Sequence, residues 1–383
     1  MALTLTETAA LPLDGYAGAL AARVWRDDLG GPSVVAVRAD GIYDISAEFA
    51  TIRDLCETAD PAASLAAAKG ERLASLADCL AGRGPRLVAP VDLQAIKAAG
   101  VTFAASMLER VIEERARGNP DSAARIRGEM TKLIGADLSK LKPGSAEAMK
   151  LKETLIAEGL WSQYLEVGIG PDAEIFTKAQ PMSAVGTGAD AGFHSHSHWN
   201  NPEPEAVLVI ASDGRIVGAT LGNDVNLRDF EGRSALLLGE AKDQNASCAI
   251  GPFLRFFDAS FSLEDVRRME VSLTIEGEDG FRLEGRSSMR EISRDPADIA
   301  AQLISPHHGY PDGAVLFLGT MFAPVKDRDA PGKGFTHKRG DVVTVATEKL
   351  GSLVNRMQHA HECPRWSFGA GALMRNLAKR GLI

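Results

Sequence analysis

The chain has 383 residues, enough for a large core and for two domains or one large domain with an insertion. Its 42 basic and 51 acidic side chains give a net charge of −9, which argues against non-specific nucleic-acid binding. The apolar stretch 314–324 is far short of the ~20 residues that span a membrane, and no basic leader opens the chain. Composition therefore predicts a cytoplasmic protein without nucleic-acid or membrane partners.

Residues 1–90 predict a small, separate α/β domain. Two strand patterns and two helix patterns follow one another there, at 20–25, 33–38, 52–58 and 65–80. The glycine- and proline-rich segment 82–85 is typical of a boundary. We therefore predict that residues 91–383 form a second domain, which carries the candidate functional residues.

A charged helical insertion is predicted over about 111–160. It follows a strand-like run that ends at 100–103 and a helix pattern with apolar residues from Met107 to Ile112. Such an insertion beside a site could fold over it as a lid, and a plain surface hairpin of helices fits the pattern equally well.

Two acidic residues at the start of an apolar, β-branched run predict a metal site. If the run at 204–210 is extended, Glu203 and Glu205 point to one face, and Asp224 arrives in a predicted turn after a second apolar run, 216–221. Repulsion between neighbouring carboxylates is relieved by a proton or by a cation, and an all-oxygen set suits Mg²⁺ or Mn²⁺. Lys242 adds a positive charge that could hold an anionic substrate.

A histidine-rich run offers a second candidate metal site. His194, His196 and His198 alternate, so a strand there would place three imidazoles on one face as a transition-metal site. The same polar run, feeding into the turn 200–202, also fits an ordinary loop.

The order Glu203, Glu205, Asp224, Lys242, with a Gly-Asn-Asp-Val segment around Asp224, resembles the metal-site signature of the fumarylacetoacetate hydrolase superfamily. Within that superfamily the spacing is similar to that of 2-keto-3-deoxypentonate dehydratases. The resemblance implies an α+β fold, a mixed β-roll catalytic domain with a smaller N-terminal α/β domain. It also implies Mg²⁺, with Mn²⁺ possible, a 2-oxo acid as substrate, and a homodimer or homotetramer.

A second resemblance concerns the start of the helix after residue 103. Many superfamily members carry an aromatic residue there, followed three residues later by His and six later by Glu, which activate water for hydrolysis. In this chain these positions are Phe103, Ser106 and Glu109. The histidine is replaced by Ser106, so the resemblance implies that Glu109 moves a substrate proton and that the water-activating base is missing. The alternative interpretation is that Glu109 is an ordinary solvated residue on the helix surface, without a catalytic role.

Further residues are implied by the resemblance to contact the substrate. Thr320 would bind its carboxylate, and the other candidates lie in similar stretches of the family: Lys178, Ser183, His308 and Gly319. The expected function is a Mg²⁺-dependent dehydratase that converts a 2-keto-3-deoxypentonate to 2,5-dioxopentanoate. The alternatives are a hydrolase that cleaves a C–C bond of a 2,4-dioxo acid, and a metal-stabilised binding protein without turnover.

Overall fold

The computed structural model describes residues 3, 5–123, 125–126, 141–157, 159, 161–321, 324, 326–330 and 334–383, without the side chain of residue 105. The strands are β1 Leu20–Arg26, β2 Gly31–Arg38, β3 Gly41–Asp44, β4 Glu71–Ala74, β5 Arg86–Val88, β6 Ala95–Gly100, β7 Glu174–Ala179, β8 Asp190–Phe193, β9 Asn200–Asn201, β10 Pro204–Ile210, β11 Ile216–Asp224, β12 Asn226–Leu227, β13 Cys248–Phe256, β14 Glu270–Glu276, β15 Arg282–Ser288, β16 Ala314–Phe317, β17 Val342–Thr347 and β18 Gly351–His359. The helices are α1 Glu7–Ala10, α2 Ile52–Cys56, α3 Pro61–Ala67, α4 Leu76–Leu80, α5 Ala104–Ala116, α6 Ala146–Ala157, α7 Gln163–Ile169, α8 Arg228–Glu231, α9 Leu238–Lys242, α10 Leu263–Arg268, α11 Pro296–Leu303 and α12 Ala370–Lys379.

Two large sheets form the centre of the molecule. The first has the order β4-β3-β2-β1-β13-β11-β10-β16-β6-β7, with β5 pairing to β1, and the second has the order β15-β14-β17-β18-β8. One buried core joins them, because it combines side chains of the first sheet with side chains of the second: Leu208, Leu221, Leu273, Val345 and Leu353. Most strand pairs are antiparallel, whereas β16 with β6 and β18 with β8 are parallel.

The central strands β10 and β11 follow the predicted apolar runs. Every residue of β10 is buried, as expected for a strand covered on both faces. The predicted turn at 222–224 is wrong, because these residues end β11 instead. Asn223 and Asp224 pair with Ala249 and Cys248 of β13, so neighbouring strands supply the hydrogen-bond partners that keep the backbone extended.

The N-terminal region shares the first sheet with the rest of the chain, since β1 pairs with β13. The predicted strands at 20–25 and 33–38 are confirmed, and the helix pattern at 52–58 corresponds to α2. The predicted continuous helix at 65–80 is wrong: α3, β4 and α4 follow one another there. A Cβ on Gly70 would lie 2.1 Å from the carbonyl oxygen of Asp44, so the close approach of β3 breaks the Ala-rich pattern. The domain boundary near residue 90 stays a prediction.

The predicted helical region is helical where it is described. α5, α6 and α7 pack around a small core of their own, which includes Met107, Ile112, Leu155 and Tyr164. Residues 124, 127–140, 158 and 160 of the predicted insertion lie outside the described residues, and the lid stays a prediction. None of the helices in the described ranges is long and apolar enough to cross a membrane.

Candidate metal and catalytic site

Three carboxylates meet where β10 and β11 run side by side. Glu203 precedes β10, Glu205 lies on it and Asp224 ends β11; one carboxylate oxygen of each lies within 4.8 Å of the other two. The backbone holds this arrangement, because the N–H of Asp224 donates to the carbonyl oxygen of Glu203 at 3.0 Å. Each residue is only 1% exposed, so their charges face one another with little screening by water.

Glu205 is the carboxylate that most needs a cation. Its oxygens accept hydrogen bonds from the N–H of Gly319 at 2.7 Å and from the hydroxyl of Thr320 at 3.3 Å. Burial, followed by the charges of Asp224 and Glu203, nevertheless raises its pKa well above the ordinary range. Glycine is required at 319, where φ is +101° and a Cβ would lie 1.9 Å from the hydroxyl of Thr102. The pair 319–320 thus follows β16 and donates to Glu205, and its role in binding substrate stays a prediction.

Lys242, at the end of α9, supplies one positive charge to the cluster. Its Nζ lies 2.5 Å from Oε2 of Glu203 and 3.0 Å from Oδ2 of Asp224. Burial alone would lower the pKa of this lysine, but the charges of Asp224 and Glu203 raise it well above its ordinary value. Burial would likewise raise the pKa of Glu203, and the charges of Lys242 and Arg110 lower it to about 2. Both groups therefore stay charged at neutral pH.

Lys178 on β7 is held entirely by protein oxygens. Its Nζ lies 2.9 Å from Oδ1 of Asp224, 3.2 Å from the carbonyl oxygen of Val225 and 3.3 Å from Oγ of Ser247, and it also donates to the carbonyl oxygen of Lys242. The side chain is 0% exposed. In this arrangement the ammonium fixes the position of Asp224 and joins β7 to the end of α9.

A buried arginine that the sequence reasoning missed reaches the cluster from α5. Arg110 contacts Oε1 of Glu203, and its Nη1 lies 2.7 Å from Glu113 and 2.9 Å from Glu231. Burial raises the pKa of Glu231 to about 7, although the charges of Arg110 and Lys242 act in the opposite direction. The signal in the sequence was the spacing 106, 110 and 113, which places polar residues on one face of the helix.

Glu109 stands at the far end of this network. Arg228 of α8 donates to Glu113 at 2.6 Å and to Glu109 at 2.8 Å, and its guanidinium stacks over Trp199 at 4.4 Å. Glu109 is thereby linked to the carboxylates through alternating charges, and its side chain is 13% exposed. Glu109 is therefore not a freely solvated residue on the helix surface, as the alternative interpretation expected. Ser106 is buried in the first turn of α5, and its hydroxyl donates to the carbonyl oxygen of Phe103 at 2.9 Å.

Other predicted residues lie outside the contacts of the carboxylate cluster. Ser183 donates its hydroxyl to the carbonyl oxygen of Gln180 at 2.7 Å, and His308 is exposed in a turn that bridges to Ser305. No contact of either residue with the three carboxylates is found among the described residues, and their roles in binding substrate stay predictions.

The histidine run does not form the predicted face of three imidazoles. β8 ends at Phe193, and the following residues turn, with the N–H of Ser197 donating to the carbonyl oxygen of His194. Within the described ranges, the imidazoles of His194, His196 and His198 do not converge as a group of metal donors. The strand prediction was wrong here because the chain leaves the sheet to reach β9.

Comparison with known proteins agrees with this architecture. Residues 171–358 match the family model described as fumarylacetoacetate (FAA) hydrolase C-terminal. Residues 171–358 are therefore similar to a fumarylacetoacetate hydrolase domain, and the α+β fold prediction is confirmed. A solved structure, the apo form of 2-keto-3-deoxy-D-arabinonate dehydratase, superposes with a TM-score of 0.62 at 20% identity, covering 89% of this chain and 99% of that one. The same dehydratase complexed with magnesium and 2,5-dioxopentanoate gives a TM-score of 0.60, with the same identity and coverage.

Two curated relatives are similar in sequence. One is a probable 2-keto-3-deoxyxylonate dehydratase of Haloferax volcanii, 32% identical over 192 residues, which are 50% of this chain and 62% of that protein. The other is a 2-dehydro-3-deoxy-D-arabinonate dehydratase of Saccharolobus solfataricus, 32% identical over 181 residues, or 47% of this chain and 57% of that protein. The matched part thus spans about three-fifths of each relative.

Proposed function

We propose that the protein is a Mg²⁺-dependent dehydratase that converts a 2-keto-3-deoxypentonate to 2,5-dioxopentanoate. The observation that carries the proposal is the convergence of Glu203, Glu205 and Asp224 within 4.8 Å, with Lys242 beside them. The names of the two curated relatives and the dehydratase fold support it. Ser106, at the position where hydrolytic relatives carry histidine, favours dehydration over hydrolysis.

The donor set fits a hard divalent cation. All three candidate ligands are buried carboxylates, and Mg²⁺ and Mn²⁺ prefer oxygen donors completed by water or substrate. Burial raises the pKa of Glu205 and the charges of Asp224 and Glu203 raise it further, so a bound cation would favour the charged form of this carboxylate. A divalent cation bound there supplies positive charge to the carboxylate and 2-oxo group of a 2-oxo acid, which makes the C3 hydrogens acidic.

Three side chains of the protein would bind the substrate and transfer its proton. Lys242 keeps its proton at neutral pH, because its pKa is raised, so it suits holding a negative oxygen better than giving up a proton. The hydroxyl of Thr320 lies next to Glu205 and can donate to the substrate carboxylate. Glu109 takes the C3 proton and returns it to the C4 hydroxyl, which leaves as water, and tautomerisation of the C3=C4 product gives 2,5-dioxopentanoate.

The substrate must enter a site whose carboxylates are 1% exposed. α5 carries Glu109 and Arg110 and packs with α7, so a movement of these helices would open the site from the side of the ion-pair network. We therefore keep the lid as part of the proposal, with closure of the helices excluding water during the reaction.

The test is hydrogen exchange at C3. Glu109→Gln should still bind Mg²⁺ and pyruvate, yet lose about 10²- to 10⁴-fold in dehydration and in exchange of the C3 hydrogens with D₂O, the usual size of a general-base loss. Glu114→Gln is the matched control, because it makes the same change on the same helix at a residue bonded to Ser162 and Gln163. Exchange that is merely halved in Glu109→Gln would contradict the assignment.

Product identification separates the proposal from its rivals. The wild-type protein with Mg²⁺ should dehydrate a 2-keto-3-deoxypentonate and leave 2,4-dioxo acids intact. Efficient cleavage of a 2,4-dioxo acid would identify a hydrolase, and Ser106→His tests how far that position decides the outcome. Mg²⁺ binding without turnover of any 2-oxo acid in the panel would instead identify a binding protein.

A further inference from the structure

Two histidine-rich segments leave the second sheet at the same edge. β8 and β18 are parallel, with Phe193 opposite His359, so both strands end side by side. The chain continues from β8 into the run His194–His198 and from β18 into His-Ala-His-Glu, 359–362. Five of the eight histidines of the chain therefore lie on two segments that leave the sheet side by side, away from the carboxylate cluster described above.

The turn after β18 is fixed by its backbone. The N–H of Glu362 donates to the carbonyl oxygen of His359 at 2.9 Å, which closes the turn. Its second residue, Ala360, is anchored on both sides, by Phe193 at 2.8 Å and by the side chain of Asn245 at 2.9 Å. The backbone thus holds three side chains, at 359, 361 and 362, on one short segment with little freedom.

These three side chains bring their donor atoms together. One nitrogen of His359, one nitrogen of His361 and one oxygen of Glu362 lie within 4.8 Å of one another. The two imidazole rings stack with centroids 5.6 Å apart, and Nδ1 of His359 lies 3.9 Å from Oε2 of Glu362. Ligands of tetrahedral Zn²⁺ at bond lengths near 2.1 Å are about 3.4 Å apart, a separation that small rotations of these partly exposed side chains reach.

We propose that His359, His361 and Glu362 form a second metal site, which binds a divalent transition metal such as Zn²⁺. Two imidazoles and one carboxylate are a common ligand set for this ion, with water in the remaining position. The mixed nitrogen and oxygen donors distinguish the site from the carboxylate cluster, whose oxygens suit Mg²⁺. The two sites should therefore select different ions.

The surroundings support metal binding in two ways. A cavity of about 980 Å³ opens beside His361 and is also lined by His194 and His196, so more imidazoles are within reach and the ion has a path from solvent. The guanidinium of Arg339 pairs with Oε2 of Glu362 at 3.0 Å and is itself 55% exposed. This arginine places a positive charge beside Glu362 and would compete with a bound ion for that carboxylate.

The experiment is a Zn²⁺ titration by calorimetry of the full chain, stripped of metal and then kept in excess Mg²⁺. We expect one Zn²⁺ site that Mg²⁺ does not displace. His361→Ala and Glu362→Gln should each lower the affinity for Zn²⁺ at least about tenfold, since even residues that only support metal ligands contribute 10- to 100-fold in affinity. Arg339→Ala should tighten it, because the competing cation is removed. Non-specific binding of Zn²⁺ by surface histidines predicts no such increase in affinity.

The control is His307→Ala, which removes an exposed histidine from a turn elsewhere in the chain and should leave Zn²⁺ affinity unchanged. Circular dichroism of each variant checks that the fold is retained. Absence of Mg²⁺-resistant Zn²⁺ binding would overturn the proposal. So would a site that survives His361→Ala but disappears when His194 and His196 are both replaced by alanine.

Discussion

Lys178→Met is expected to damage the fold rather than the affinity for substrate. The change keeps a long apolar stem but removes the ammonium from Asp224, the carbonyl oxygens of Val225 and Lys242, and the hydroxyl of Ser247. Removing one partner of a buried ion pair usually costs about 3–5 kcal/mol, because the other charge stays buried without compensation. Lys178 is 0% exposed and Asp224 is 1% exposed, and Lys242 stays beside Asp224 in the variant, so the loss should lie at the lower end of that range.

The loss converts into a measurable change in melting temperature. At about 2.1 cal/mol/K per residue, the unfolding entropy of 383 residues is about 0.8 kcal/mol/K, so Tm should fall by about 4 °C. Thermal unfolding by circular dichroism, with metal removed by chelation, measures this directly. Lys97→Met is the matched control on the neighbouring strand β6, where the half-buried lysine donates to the hydroxyl of Thr177 at 2.9 Å and lies 5.7 Å from the ring centroid of Tyr310. Its Tm should hardly move.

The opposite result is informative. If Lys178→Met keeps the wild-type Tm but raises the KM for the 2-oxo acid, the ammonium serves the substrate, as the family resemblance implied for this position. The reasoning from burial and contacts would then be refuted.

Three further predictions concern the network around the carboxylates. Glu203→Gln should lower Mg²⁺ affinity at least about tenfold with the fold retained, measured by calorimetry and circular dichroism; unchanged affinity would remove Glu203 from the ligands. Lys242→Met should keep Mg²⁺ binding, since it frees two carboxylates, but lose at least about 10²-fold in kcat; normal turnover would contradict its role. Burial raises the pKa of Glu231 from 4.5 to about 7, so the folded protein binds more protons than the unfolded chain between these values, and stability falls as pH rises through that window. Urea unfolding of the metal-free protein should show this loss, up to about 3 kcal/mol, and Glu231→Gln should flatten it; an identical slope in both would contradict the assignment.

Periodicity predicted the elements that are covered on both faces by their neighbours. The apolar runs at 204–210 and 216–221 became β10 and the main part of β11, because burial of a continuous apolar strand fits only the interior of a sheet. The same kind of reasoning failed at 65–80, where an Ala-rich helix pattern is interrupted by the close approach of Asp44 to Gly70. A local pattern carries no information about which distant strand will pass beside it.

Some residues of the candidate site could likewise be predicted from the sequence, whereas others could not. Glu203, Glu205 and Asp224 could be found from the sequence, because strand alternation and two adjacent runs bring them to one face. Arg110 could not, since it lies 93 residues from Glu203 and its helix pattern predicts only a polar face. The histidine run was placed on a strand that ends before it, and its closeness to His359 depends on the parallel pairing of β8 with β18.

The sequence by itself thus determined the carboxylate cluster and the strands that hold it, because these rest on short-range spacing and apolar burial. The tertiary structure alone decided which charges neutralise one another and which histidines share an edge. Ion pairs and metal donors act over a few ångströms, and only the folded chain brings residues from distant segments within that distance.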